Sequence, residues 1–347
     1  MKIEVVRHLY LRRIVGPTFQ ALGPTAADQF ARWMGSRVCR LNTAGRQIAE
    51  ERLRDALGPE ATPERLAAIV SAMYEHIGRF WTESLFLRRH VRESSWRRVV
   101  SVDGEASLRS LAEARRGCVL ATAYFGNPAA AACALGQLFR PVHVVVDYLA
   151  QPALASWQRE IYSMRWVHAI DRRGAATEVP RILTSGGAVL LIAEHERRRG
   201  PAITVPFLGR LARCYPALDR LPRWFDVPAA VVTCQRRAQP MRFSLVLHEV
   251  IEPRTAGTDD GYLARRAMES LAAAIMRRPE QYLWTIDAGN REEVGEVRPV
   301  SSAITGMESG SGSSPRRSRT ASVLQKPSAA GREPAGSAAA IEPAPTG

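Results

Sequence analysis

The stretch Cys118–Leu138, CVLATAYFGNPAAAACALGQL, limits most tightly what this chain can fold into. An apolar run of strand length, Cys118–Ala123, passes through an aromatic-glycine turn into an alanine-rich run that begins at Asn127 and Pro128. Asn at a helix start accepts a hydrogen bond from a free first-turn N–H, and Pro at the first helical position forfeits no bond it would have made. The stretch therefore predicts a strand, a tight turn and a helix, with Tyr124, Phe125 and Gly126 at the carboxyl end of the strand. In parallel α/β sheets that edge collects ligands and catalytic groups, because strand–helix loops converge there and helix N-termini turn free N–H groups toward it.

The surrounding pattern agrees with that placement. Strands are expected at Val99–Val102, Val142–Val146, Trp166–Ile170 and Ala188–Ala193, separated by helices at Ala106–Ala114, Pro152–Met164 and Ala175–Thr184. This alternation argues for an α/β fold with a mostly parallel sheet flanked by helices. Asp147, Asp171–Arg173 and Glu194–Glu196 then fall at the same edge as Tyr124. Upstream, Ala44–Leu57 and Thr62–Leu87 read as helices; in the second, Leu66, Ile69, Val70, Met73, Ile77, Phe80 and Trp81 form a core-facing stripe. His76 and His90 read as packing or surface residues. Downstream, the proline-interrupted Ile203–Gly209 reads as an edge or loop, Pro228–Thr233 and Phe243–Val250 as strands, and Gly261–Arg277 as a helix. The expected organisation is an N-terminal helical region (1–95), an α/β core (96–290) forming one domain with it, and a disordered tail (291–347) rich in Ser, Gly, Pro and Ala.

Charge narrows the choice of partner. Lys and Arg number 48 against 34 Asp and Glu, a net charge of +14 that calls for nucleic acid, an anionic membrane surface or a phosphorylated substrate. Lys2 and Lys326 are the only lysines, so the arginine bias of a GC-rich genome is an equal explanation. The arginines occur as dispersed pairs such as Arg236-Arg237, without interleaved aromatics or a reader motif, so nucleic acid fits worst. Five scattered cysteines, with no CxxC, suggest free thiols rather than a disulfide framework or a zinc site. There is no GxSxG elbow, no phosphate-binding glycine loop, no GxGxxG after a strand and no metal-spaced cluster, so neither metal nor cofactor is expected. Met1–Gly23 lacks the apolar core of a secretory signal, and Arg12, Arg13 and Pro17 interrupt it, so no transmembrane helix is expected. A structured surface helix is the commoner outcome for such a segment, and an amphipathic helix lying on a membrane the other.

The succession GCVLATAYFGNPA, IDRRG, GGAVLLIAEHE, ITVPFLGR and RPEQYLW resembles the bacterial lipid A biosynthesis acyltransferases. These are the lauroyl and myristoyl transferases of the lysophospholipid acyltransferase-like superfamily, and the likeness runs from Arg37 to Asn290. The resemblance implies an α/β protein peripheral to the cytoplasmic face of the bacterial inner membrane. It would pass an acyl chain from an acyl carrier protein or coenzyme A thioester to a hydroxyl of a glycolipid or lysolipid. In that family a His opens the strand-end motif and an acidic residue follows five positions later, as base and orienting carboxylate. Here Tyr124 stands at the His position and Ala129 at the acidic one, while Phe125, Gly126 and Asn127 are kept. Tyrosine, with an ordinary pKa near 10, is a poor base at neutral pH. The substitute candidate is His195, flanked by Glu194 and Glu196. Asp147, Arg172, Arg173 and Arg210 match family positions, the arginines as grips for phosphate or a sugar carboxylate. Three readings follow: a divergent acyltransferase, a catalytically impaired relative that binds glycolipid or acyl chains or regulates an active paralogue, and, last, a nucleic-acid binder.

Overall fold

The computed structural model describes residues 16–147, 152–194, 201–256 and 259–285. His195, Glu196, the Arg197–Gly200 loop, the tail over 291–347 and residues 1–15 lie outside the described residues. Three helices come first, α1 (Gly16–Leu41), α2 (Thr43–Leu57) and α3 (Pro63–His90). Asn42 and Thr62 cap α2 and α3, their side chains accepting from Gly45 N–H at 2.9 Å and Arg65 N–H at 3.3 Å. The α1 helix bends sharply at Gly23, whose φ of 78° precedes Pro24.

A short turn, α4 (Trp96–Val99), leads into β1 (Val100–Asp103), α5 (Glu105–Glu113), β2 (Cys118–Thr122), α6 (Pro128–Phe139), β3 (Val142–Val146) and α7 (Pro152–Ile161). The chain continues through β4 (Ser163–Met164), β5 (Val167–Asp171), α8 (Ala175–Thr184), β6 (Ala188–Ile192), β7 (Ile203–Phe207) and β8 (Arg210–Cys214). It then runs through α9 (Ala217–Phe225), β9 (Ala229–Arg236), β10 (Phe243–Ile251) and α10 (Tyr262–Arg277). The sheet has the order β1-β10-β9-β2-β6-β3-β5-β4. Strand β2 pairs in parallel with both β6 and β9, and β3 with both β6 and β5. The antiparallel pairs are β9–β10 and the short β4–β5.

Period-two packing explains why the sheet carries helices on both faces. Val119 and Ala121 of β2 enter one core with Val189, Val231, Leu271 and Leu183, while Cys118 and Leu120 enter the other with Leu190, Val232, Leu135 and Ala131.

Three local expectations change. The helix expected over Pro152–Met164 ends at Ile161, because Ser163 and Met164 pair with the edge of β5 and satisfy backbone groups there. Ile203–Gly209, expected as an edge or loop, forms β7 of a separate two-stranded hairpin with β8, where Pro206 costs no central ladder bond. The α9 helix was not expected at all.

Candidate functional site

The carboxyl ends of β2, β6, β3 and β5 share one edge, since Thr122 lies opposite Ile192 and Val146 opposite Asp171. Tyr124 and Glu194 each follow their strand by two residues, and Ala193 N–H donates to Thr122 O at 2.8 Å. The backbone N–H of Tyr124 donates to Glu194 Oε1. Its carbonyl accepts from Leu283 N–H at 3.2 Å. Asp147 and Arg172 meet at the same edge, 3.2 Å apart, and Arg172 also donates to the Tyr215 hydroxyl at 2.8 Å. Both partners of that ion pair are nearly half exposed, so the pair adds little stability. Arg173 is exposed, and its N–H donates to Asp171 Oδ1 at 2.9 Å. Arg210 belongs to a different contact: it joins the β7–β8 hairpin to α2 by pairing with Asp55 and, at 3.3 Å, with Glu51.

The turn itself is bound on three sides. Phe125 forms an antiparallel bridge with Tyr282, Gly126 N–H donates to Gln281 O at 2.9 Å, and Asn127 N–H donates to Cys234 O at 2.7 Å. Gly126 has a φ of 65°, and a Cβ there would strike the Cys234 carbonyl, so the position requires glycine. Asn127 caps α6 by accepting from Ala130 N–H at 2.9 Å, while its amide donates to Glu83 Oε2, also at 2.9 Å.

Behind Asn127 lies a buried polar network. Arg236 donates to Glu83 through Nε at 2.5 Å and Nη2 at 2.6 Å, and also to His76 Nδ1. Gln281 accepts from Arg236 N–H at 2.8 Å and donates to Arg236 O at 3.0 Å. Burial, then the charges of Arg236 and Arg79, holds the His76 pKa well below its usual range, so the ring is neutral and accepts from Arg236. Sequence reasoning assigned none of Glu83, Arg236 and Gln281 to the site; only the RPEQYLW segment, which contains Gln281, signalled it.

On the other side of the turn the electrostatics differ. Glu194 is 1% exposed. Burial raises its pKa to about 8, opposed in part by the Tyr124 and Glu194 backbone N–H groups. Among the described residues its second oxygen, Oε2, has no hydrogen-bond partner, and neither do Tyr282 OH and Thr122 Oγ1. Burial, then the nearby Tyr162, Glu194 and Asp147, raises the Tyr124 pKa, so the phenol stays protonated. Ala129 is fully buried in the core that contains Phe86, Leu87 and the other alanines of α6. A carboxylate at position 129 would have to enter apolar surroundings. The arrangement thus keeps one titratable carboxyl beside a protonated phenol at a strand edge, with no basic nitrogen described at position 124.

Among the described residues no helix is long and apolar enough to cross a membrane, and no group of three or more His, Cys, Asp or Glu is placed to hold a metal ion. A search of curated proteins finds no match to the chain. The sequence model of bacterial lipid A biosynthesis acyltransferases matches residues 3–287, covering the three N-terminal helices, the sheet and the Gln281–Trp284 segment that closes the turn. With a match of that extent, the chain belongs to the bacterial lipid A biosynthesis acyltransferase family.

Proposed function

We propose that this protein transfers an acyl chain from an acyl carrier protein or coenzyme A thioester to a hydroxyl of a glycolipid or lysolipid at the cytoplasmic face of the inner membrane, with Glu194 as the general base. The observation that carries this reading is the Glu194 carboxyl, bound to the Tyr124 backbone at the motif position and with a pKa raised to about 8. A base works best when its pKa lies near the operating pH. Ionised Glu194 takes the acceptor hydroxyl proton, the oxygen attacks the thioester carbonyl, and the tetrahedral intermediate collapses with loss of the C–S bond. The departing sulfur recovers the proton, leaving an ester and a free thiol. Protonated Tyr124 serves as a hydrogen-bond donor rather than a base, and Arg172 and Arg173 supply guanidinium groups for an acceptor phosphate.

The test is thiol release by purified protein given acyl thioesters and a panel of glycolipid and lysolipid acceptors. Glu194→Gln should lower kcat by about 10²- to 10⁴-fold, and wild-type turnover should rise with pH through about 8. Unchanged turnover in Glu194→Gln removes Glu194 from the reaction, and a loss confined to His195→Ala transfers the role to its neighbour.

The burial of Ala129 in an apolar core favours a second reading, a relative that binds lipid without turnover. Lipid that co-purifies with the protein and protects it from unfolding, with no thiol release from any acceptor, would decide for it.

A further inference from the structure

The α1 helix has two unlike faces. Ala27, Asp28, Ala31, Gly35 and Cys39 are buried. They seat α1 closely on α3: a Cβ at Gly35 would strike the Tyr74 carbonyl, and one at Gly78 the Ala31 carbonyl. Polar contacts fix the same seam, with Arg79 on Asp28 at 2.6 Å and Ser36 on Glu75 at 3.2 Å. The helix is thus held in one orientation, which determines what its other face presents.

That other face is apolar and open. Phe30, Trp33, Arg37 and Leu41 follow one another at helical spacing, and Phe30, Trp33 and Leu41 are 41%, 56% and 84% exposed. The bend at Gly23 folds the first turns back so that Phe19 lies 5.2 Å from Phe30, ring centre to ring centre. Phe30 lies 5.7 Å from Trp33, and the Arg37 guanidinium stands over the Trp33 ring at 5.5 Å. Leu22, 58% exposed, belongs to the folded-back limb. Arg37 and Arg40 are exposed around this ridge, while Arg32 turns to the seam and pairs with Asp28 at 3.0 Å. Four of the six large apolar side chains exposed among the described residues lie on α1.

We infer that this ridge docks the protein on an anionic bilayer surface, with Phe30, Trp33 and Leu22 entering the boundary between headgroups and acyl chains and the arginines meeting lipid phosphates. A rigid apolar stripe with an interfacial tryptophan and flanking arginines is the composition that lies in a membrane plane without crossing it. Charge argues against the other occupants. A second copy would set Arg37 and Arg40 against the same two arginines, and residues 1–15 bring Lys2, Arg7, Arg12 and Arg13 against Glu4 alone, the same sign as the ridge. The inference rests on the membrane location proposed above and supplies the surface that achieves it; it does not depend on turnover.

The experiment is flotation of the full chain with vesicles of phosphatidylcholine alone and with 30 mol% phosphatidylglycerol. The protein should float with the anionic vesicles only. Phe30→Ser with Trp33→Ser should reduce partitioning by more than about tenfold, and Arg37→Gln and Arg40→Gln by about fivefold for each charge removed. The melting temperature should stay that of wild type, since these side chains face outward. Equal partitioning of the Phe30/Trp33 variant, equal binding to neutral vesicles, or no flotation of the wild type overturns the inference. So does a dimer in sedimentation that Trp33→Ser dissolves, which assigns the ridge to a second copy. Thiol release without flotation sinks only the docking surface, and flotation without thiol release sinks only the acyl-transfer reading.

Discussion

Both ends of the Tyr124–Asn127 turn bond a buried carboxylate, yet the two carboxylates are treated differently. At Asn127 both Glu83 oxygens are occupied, by Arg236 Nε and Nη2 and by the Asn127 amide. At Tyr124 one Glu194 oxygen accepts a backbone N–H, and the other has no partner among the described residues, as is also true of Tyr282 OH. A satisfied buried network fixes geometry, because each member holds the next in a low-dielectric setting. An incompletely satisfied carboxyl keeps the capacity to bind or exchange a proton, at a cost in stability. The first end therefore reads as the mount, and the second carries the carboxyl proposed above as the base.

The largest effect is expected at the mount. Arg236→Met leaves Glu83 buried without its cation and should cost about 3–5 kcal/mol in urea unfolding. Adding Glu83→Gln to it should recover most of that loss. A double variant no more stable than the single one would break the claim that the pair is a structural unit.

Next comes the pH dependence set by Glu194. Its folded-state pKa of about 8 lies above the ordinary 4.5, so the folded protein holds a proton that the unfolded chain releases. The corresponding stability is fully present below about pH 4.5, falls by a few kcal/mol as pH rises to about 8, and is flat above it. Glu194→Gln should remove that slope. Unfolding free energies of wild type and variant at pH 5 and pH 8.5 measure it, and parallel values in the two proteins would show that the carboxyl is not held protonated.

The smallest effect sharpens the contrast from the working side. Tyr282→Phe deletes a buried hydroxyl without a described partner and should change stability by no more than about 0.5 kcal/mol. A loss approaching that of Arg236→Met would mean that the hydroxyl belongs to a satisfied network after all.

What local chemistry specifies was legible in the chain. Apolar runs of strand length marked β2, β3 and β6, and Asn127-Pro128 and Thr62-Pro63 marked two helix starts, since capping and proline geometry act within a few residues. The same logic placed Tyr124, Asp147, Arg172 and Glu194 at one edge, because parallel strands must end there together. The N-terminal region was expected to be helical, but the bounds of α1 were not legible, because Gly23 and Pro24 interrupt it and its exposed aromatic residues blur the periodicity of its buried face. The site's support was equally hidden, for Glu83 and Arg236 are 153 positions apart and Asn127 lies between them.

The sequence by itself determined the strand–helix alternation around β2, β3 and β6, the family likeness and the replacement of the His and acidic positions by Tyr124 and Ala129. Only the tertiary structure decided which polar residues matter: it paired Arg236 with Glu83, sent Arg210 to α2 and buried Ala129. It also withdrew Glu194 from solvent, and with that raised its pKa. The reason is physical. Capping and strand formation are set by neighbouring residues, whereas desolvation and long-range ion pairing depend on what the folded chain places around a group.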